Sequence, residues 1–169
     1  TKKTFGLIGK NIDYSFSRSY FSKKFKKLQL SNCEYVNFDL KSIEELSTIN
    51  LNEVYGFNVT IPYKTEIIKF LDKIDPEAEK IGAVNTIKIN RRELIGFNTD
   101  YIGFLKSLPR KKFKRALIFG TGGASKAIQH ALNKINIPFE IVSRKNDKRY
   151  LSYGNLNTKI RSEEHTSEF

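Results

Sequence analysis

Apolar positions along the chain fall into two alternating patterns, short continuous runs and helical stripes. Residues 4–8 form an apolar run closed by Gly9 and predict a buried strand. Phe21, Phe25 and Leu28 recur at i, i+4 and i+7 among lysines, the spacing of an amphipathic helix. Residues 34–38 predict a second strand and residues 43–46 a short helix. Residues 54–61 are extended again, as far as Pro62, and Ile67, Ile68, Leu71 and Ile74 make a further helical stripe. Asp75-Pro76-Glu77 supplies an N-cap with proline at the first helical position, opening a helix that ends near Gly82. Residues 84–89 and 94–97 bracket Asn90-Arg91-Arg92 as a hairpin, and a helix over 101–108 stops at Pro109.

The pattern then restarts with a strand at 116–119, a turn at 120–123, a helix at 124–134 and a strand at 139–143. That is one βαβ unit, whose strands should be parallel neighbours. The fold class is therefore α/β. A first domain with a mainly parallel sheet is expected over residues 1–105, and part of a second over 112–160, with the boundary near 100–112. Residues 161–169 are polar, lack periodicity and fit neither neighbour, so a non-native or disordered tail is expected there.

Composition narrows the classes. At 169 residues, 39% hydrophobic and 28% charged, the chain can bury a core. No apolar run approaches a membrane span and no signal-like segment leads the chain, so neither a membrane nor an export role is expected. A single cysteine, Cys33, excludes an internal disulfide and suits a reducing, cytoplasmic setting. With that cysteine and two histidines, no metal site is expected, and a serine–histidine triad is poorly supported.

The net charge of +12 is unevenly spread: the first hundred residues carry a net +3 and the remainder +9. Lys106, Arg110, Lys111, Lys112, Lys114 and Arg115 crowd together. Such a run invites comparison with nucleic-acid binders, but it reads better as a solvated loop or helix end. A basic nucleic-acid-binding module stands as the alternative from another class.

Candidate chemistry lies where strands end. Gly120-Thr121-Gly122-Gly123-Ala124 follows a strand and opens a helix, the context of a dinucleotide-binding turn. Small residues there let the backbone approach a pyrophosphate, and the helix N-terminus offers unpaired N–H donors. The third glycine of the usual spacing falls at Ser125, and a tight strand–helix corner explains the turn equally well. At the end of the second strand stand Ser143, Arg144 and Lys145, with no carboxylate until Asp147. Cations at that position suit the 2′-phosphate of NADP, where an acidic residue would suit NAD.

In the first domain, uncharged hydrogen-bonding groups gather at Tyr14-Ser15-Phe16-Ser17, at Asn58-Val59-Thr60-Ile61-Pro62-Tyr63-Lys64, at Ile81-Gly82-Ala83-Val84-Asn85-Thr86 and at Asn98-Thr99-Asp100. In an open α/β sheet, ligands collect at the carboxyl ends of strands. Ser15 and Ser17 at i, i+2 share a face if the backbone is extended. Ser17 and Asp100 also fit as helix caps, and Asn58 and Thr60 as turn residues. With histidine scarce, Lys64 and Asp100 are the available acid–base pair, among amides and hydroxyls that suit a small polyhydroxylated or acidic substrate.

These ordered segments, from about Phe5 to Lys145, resemble shikimate dehydrogenase. They begin with Gly6-Leu7-Ile8-Gly9 and close with Gly96-Phe97-Asn98-Thr99-Asp100, the glycine turn and Ser143-Arg144. The resemblance implies a substrate-binding domain followed by an incomplete Rossmann-type NAD(P)-binding domain. It implies NADP-linked, reversible reduction of 3-dehydroshikimate to shikimate in aromatic amino-acid (chorismate) biosynthesis. By analogy Ser15 and Ser17 hold the substrate carboxylate, and Thr60, Asn85 and Asp100 its oxygens, with Asn58 nearby. Lys64, paired with Asp100, relays the proton. Gly120, Gly122, Gly123 and Ala124 hold the pyrophosphate, and Ser143, Arg144 and Lys145 the adenosine phosphate end.

A quinate/shikimate dehydrogenase using NAD is the nearest alternative. Arg18 stands where the family usually has proline, Tyr14 where histidine is common, and Ser143 where asparagine is usual. The family also continues further, completing the nucleotide sheet. The expectation is a C-terminally truncated chain, inactive or weakly active alone, working as a monomer or homodimer on a small-molecule substrate.

Overall fold

The computed structural model of the protein describes residues 2–109, 113–144 and 147–156. Six strands, β1 (Lys3–Gly9), β2 (Cys33–Asp39), β3 (Val54–Val59), β4 (Lys73–Ile74), β5 (Thr86–Asn90) and β6 (Glu93–Phe97), form one sheet in the order β2-β1-β3-β5-β6-β4. β1 lies parallel to β2 and β3, and β4 parallel to β6, while β5 runs antiparallel to both β3 and β6. The mainly parallel sheet expected from the apolar runs is present. The β5–β6 hairpin turns on Arg91 and Arg92, at φ 49° and 71°, the left-handed pair that a two-residue hairpin turn requires.

Alternation along β1 sends Leu7 and Ile8 to opposite faces and so to different apolar clusters. Ile8 joins Leu40, Ile43, Phe57, Val59, Ile67, Val84 and Ile87 in the main core. On the other face helix α1 (Ser17–Lys27) lays Phe21 and Phe25 over Leu7 and Tyr35, with the Phe21 and Tyr35 rings stacked at 4.5 Å. Leu28, the third member of that stripe, is instead the C-cap and 55% exposed. Gln29, at φ 55°, turns the chain off the helix there.

The stripe from Ile67 to Ile74 is not one helix. A 3₁₀ turn, Glu66–Phe70, ends at Phe70, and the next residues are drawn onto the sheet edge as β4. Asp72 does this: its N–H reaches Leu94 O (3.0 Å) and its carboxylate accepts the Leu94 N–H (2.7 Å). Helix α2 (Pro76–Ile81) follows, capped by the Asp75 carboxylate on the N–H groups of Glu77 and Ala78 and closed by Gly82 at φ 67°.

After helix α3 (Asp100–Ser107) come β7 (Ala116–Phe119), helix α4 (Gly123–Lys134) and β8 (Phe139–Val142). β7 and β8 pair in parallel as a separate two-stranded sheet, the βαβ unit expected from the pattern. Arg115, from the basic cluster, pairs with Glu140 at 2.7 Å. Arg110, Lys111 and Lys112, Lys145 and the 161–169 tail lie outside the described residues. Among the described residues no helix is long and apolar enough to cross a membrane, and no group of three His, Cys, Asp or Glu is placed to hold a metal.

Candidate functional site

The parallel strands β1 and β3 end side by side and are followed by residues 15–17 and 60–64, while Asn85 leads into the start of antiparallel β5 and residues 98–100 follow β6. After β1 the chain is tied back by Asp39, whose carboxylate accepts the N–H groups of Asn11 (2.8 Å) and Ile12 (3.2 Å). Ile12 is fully buried, and its carbonyl accepts the Ser15 N–H. The backbone across Ser15 and Ser17 is not extended. Phe16 sits at φ −78°, ψ −9°, Ser17 opens α1, and the Ser15 hydroxyl accepts the Ser17 N–H at 3.3 Å. A helix N-terminus with orphan N–H groups takes the nearest oxygen, and that demand overrides the strand geometry. Both serines remain on the carboxyl side of β1, bonded to one another and not to the residues around Lys64.

After β3, Thr60 donates its N–H to Ile8 O and the chain passes through a cis Ile61–Pro62 bond to Lys64. The Lys64 carbonyl accepts the Val84 N–H at 2.7 Å, fixing its main chain against the segment after α2. Its ammonium donates to Asp100 Oδ2 at 2.7 Å, both side chains being largely withdrawn from solvent. Asp100 Oδ1 accepts from Asn85 Nδ2 at 2.8 Å. Asn85 Oδ1 accepts from the Thr86 hydroxyl (3.1 Å) and the Thr99 N–H (2.8 Å). Thr86 in turn accepts from Asn58 Nδ2 at 3.4 Å, and Asn58 Oδ1 accepts from the Tyr35 hydroxyl at 2.8 Å.

One hydrogen-bonded chain therefore runs from Tyr35 through Asn58, Thr86, Asn85 and Asp100 to Lys64. Burial pushes the Tyr35 phenol up to about 12, so it stays a neutral donor at the end of that chain. Such a network fixes every member's rotamer, which is what a proton-handling pair needs.

Of its supports, Tyr35 lay outside the candidate segments, while Thr86 and Asn98 lay within them without an assigned role. Tyr35 and Thr86 join the chain through sheet neighbours distant in sequence. Asn98 does more. It is 4% exposed, donates Nδ2 to Ala83 O at 2.9 Å, and accepts the N–H groups of Asp100 and Tyr101 at 3.0 and 3.4 Å. Asn98, one residue before the Thr99 N-cap, thus satisfies the first two N–H groups of α3, which leaves the Asp100 carboxylate free for Lys64 and Asn85. The signal was local: an asparagine side chain readily takes the backbone N–H groups two and three residues on.

On the other unit, Gly120 has φ 102°, a conformation strained for any side chain, and its N–H donates to Val142 O. Gly122 is the N-cap of α4 without a side-chain cap, so the first N–H groups of that helix are open at the glycine turn. Ala124 is exposed beside it. Ser125, in place of the third glycine, is buried and takes a bond from Gln129. At the end of β8, Ser143 is 5% exposed with its N–H on Leu151 O, whereas Arg144 is exposed.

Residues 7–87 match the shikimate dehydrogenase substrate binding domain. The shikimate dehydrogenase (NADP(+)) of Clostridium botulinum strain Hall is 45% identical over 159 residues, covering 89% of this chain and 61% of that relative. Most of the chain is thus similar to shikimate dehydrogenases. The chain spans about three fifths of that curated relative's length. The crystal structure of shikimate dehydrogenase 1 from Peptoclostridium difficile is similar at TM-score 0.79 and 39% identity, over 88% of this chain and 58% of that one. A Thermus thermophilus shikimate 5-dehydrogenase, solved with NADP(H) and shikimate, is similar at TM-score 0.75 and 31% identity, over 85% and 56%.

Proposed function

We propose that the protein carrying this chain is an NADP-dependent shikimate dehydrogenase. The observation that carries the reading is the Lys64–Asp100–Asn85 cluster, with Lys64 and Asn85 inside the matched residues 7–87 and Lys64 packed against Gly123 of the glycine turn. Residues 1–105 form the substrate domain and 112–160 the cofactor unit. Ser15 and Ser17 bind the substrate carboxylate through their hydroxyls. Thr60, Asn85 and Asp100, with Asn58, hold its hydroxyl oxygens. In the reducing direction Lys64 donates a proton to the carbonyl oxygen, and Asp100 and Asn85 keep its ammonium aimed there. In the oxidising direction the same nitrogen takes the hydroxyl proton back.

The cofactor residues fit a dinucleotide: the left-handed Gly120, the uncapped start of α4 and the exposed Ala124 leave backbone N–H groups accessible to a pyrophosphate. Arg144, exposed at the end of β8, offers a planar fork to a 2′-phosphate. NADP supplies the hydride acceptor or donor. A reducing, cytoplasmic setting suits the single free cysteine.

The test is NADP reduction by shikimate, followed at 340 nm, on the protein that carries this chain. Lys64→Met should lower kcat by roughly 10²–10⁴, the usual worth of a positioned proton donor. A kcat within threefold of the parent's would overturn Lys64's role.

A further inference from the structure

Helix α4 touches the first domain at both its ends. At its start Gly123 packs so closely that a Cβ there would stand 2.7 Å from Lys64 Cβ and 3.3 Å from Ala83 Cβ. One turn on, Lys126 Nζ reaches Gly82 O (3.3 Å), and Ala127 is fully buried against Ile81 and Ala83. Near its end His130 Nε2 and Lys134 Nζ both meet Glu77 Oε2, at 2.8 and 2.6 Å, while Lys80 bonds the other oxygen. Tyr101 of α3 backs this cluster, edge-on to the His130 ring and beneath the Lys134 ammonium. The bonds from Lys134, His130 and Lys80 hold the Glu77 carboxyl down to about 2, so it is charged at every working pH.

A helix is stiff over this length, so a clamp at residues 130 and 134 fixes where residue 123 lies. The far wall of the clamp, α2, leads through Gly82 and Ala83 into Val84, whose N–H holds the Lys64 carbonyl. We infer that Glu77 is a positioning residue: by clamping α4 onto α2 it sets the glycine turn against the stem of Lys64, and so keeps the cofactor turn and the proton donor in register. Its catalytic meaning rests on the shikimate dehydrogenase reading; the clamp itself does not.

The experiment uses the 169-residue chain and its backbone and lysine NMR resonances, with a shikimate titration of each variant. Glu77→Lys should shift the signals of Lys64, Ala83 and Gly123, leave those of β1 and β2 in place, and weaken shikimate about fivefold. Glu77→Lys combined with Lys134→Glu, which restores the pair with its signs exchanged, should return both. A surface pair that only adds stability would lower Tm without moving Lys64 or Gly123, and that result overturns the proposal. If Glu77→Lys does not fold, Glu77→Gln is read instead, with the same direction expected and unchanged Lys64 and Gly123 signals overturning it. Absence of shikimate binding by the parent chain would count against the functional reading, while the resonance shifts would still decide the clamp.

Discussion

Replacing Asn98 by alanine removes three hydrogen bonds from one buried side chain. The cap on the Asp100 and Tyr101 N–H groups is lost, which costs about 1 kcal/mol for a helix N-terminus. The Ala83 carbonyl loses its partner in a region where Ala83 and Val84 are fully buried, costing a further ~1–3 kcal/mol. Together Asn98→Ala should destabilise the chain by about 2–4 kcal/mol, a large share of an ordinary domain's stability. In urea melts followed by circular dichroism this is a midpoint shift of roughly 1–2 M, given typical slopes. Asn98→Ser keeps a capping oxygen and should recover about 1 kcal/mol of the loss. Because the same side chain sets the first turn of α3, Asn98→Ala should also loosen the Asp100 contact with Lys64 and weaken shikimate binding. A loss below about 0.5 kcal/mol, with shikimate affinity unchanged, would refute the claim that Asn98 satisfies the first N–H groups of α3 and frees Asp100.

Further outcomes follow from the same geometry. Gly123→Ala places a methyl against Lys64 and Ala83, and overpacking of about 1–3 kcal/mol should appear as a lower Tm with displaced Lys64 resonances; an unshifted Tm and spectrum would contradict the close approach. Ile67→Ala empties a fully buried site in the main core and should cost about 2–5 kcal/mol in urea melts; a cost under 1 kcal/mol would argue against that core. Glu77 titrates near 2 in the folded chain and near 4.5 when unfolded, so its contribution is fully present above about pH 5 and is lost as pH falls through 2. The stability gap between the parent and Glu77→Gln should accordingly narrow below pH 4; a gap independent of pH would contradict it. Tyr35 titrates near 12 when folded against about 10 when unfolded. Its stabilising contribution is present below pH 10 and declines above it, and Tyr35→Phe should flatten that alkaline decline in urea melts; an identical decline in both chains would contradict the assignment.

Much of this architecture is written in short-range pattern. The apolar runs at 4–8 and 116–119, the Asp75-Pro76 cap and the Arg91-Arg92 turn each act through neighbours in the chain, so local chemistry reveals them. What pattern could not show was decided by partners distant in sequence. Asp72 pulls residues 73–74 onto β6, turning the end of a helical stripe into an edge strand. Tyr35 and Thr86 reach Asn58 only because β2, β1, β3 and β5 lie in that order. Asp100 suited a capping role as well as a catalytic one from sequence, and the packing of Asn98 under Ala83 is what separates the two. The clamp at Glu77 joins residues more than fifty positions apart, with no local signature.

The most direct test of the central claim is a shikimate titration of the 169-residue chain followed by backbone NMR. The account predicts saturable shifts concentrated at Ser15, Ser17, Thr60, Lys64, Asn85 and Asp100, abolished by Lys64→Met together with Asp100→Asn. Saturable binding whose shifts fall elsewhere, or no binding at millimolar shikimate by a chain shown to be folded, would contradict it.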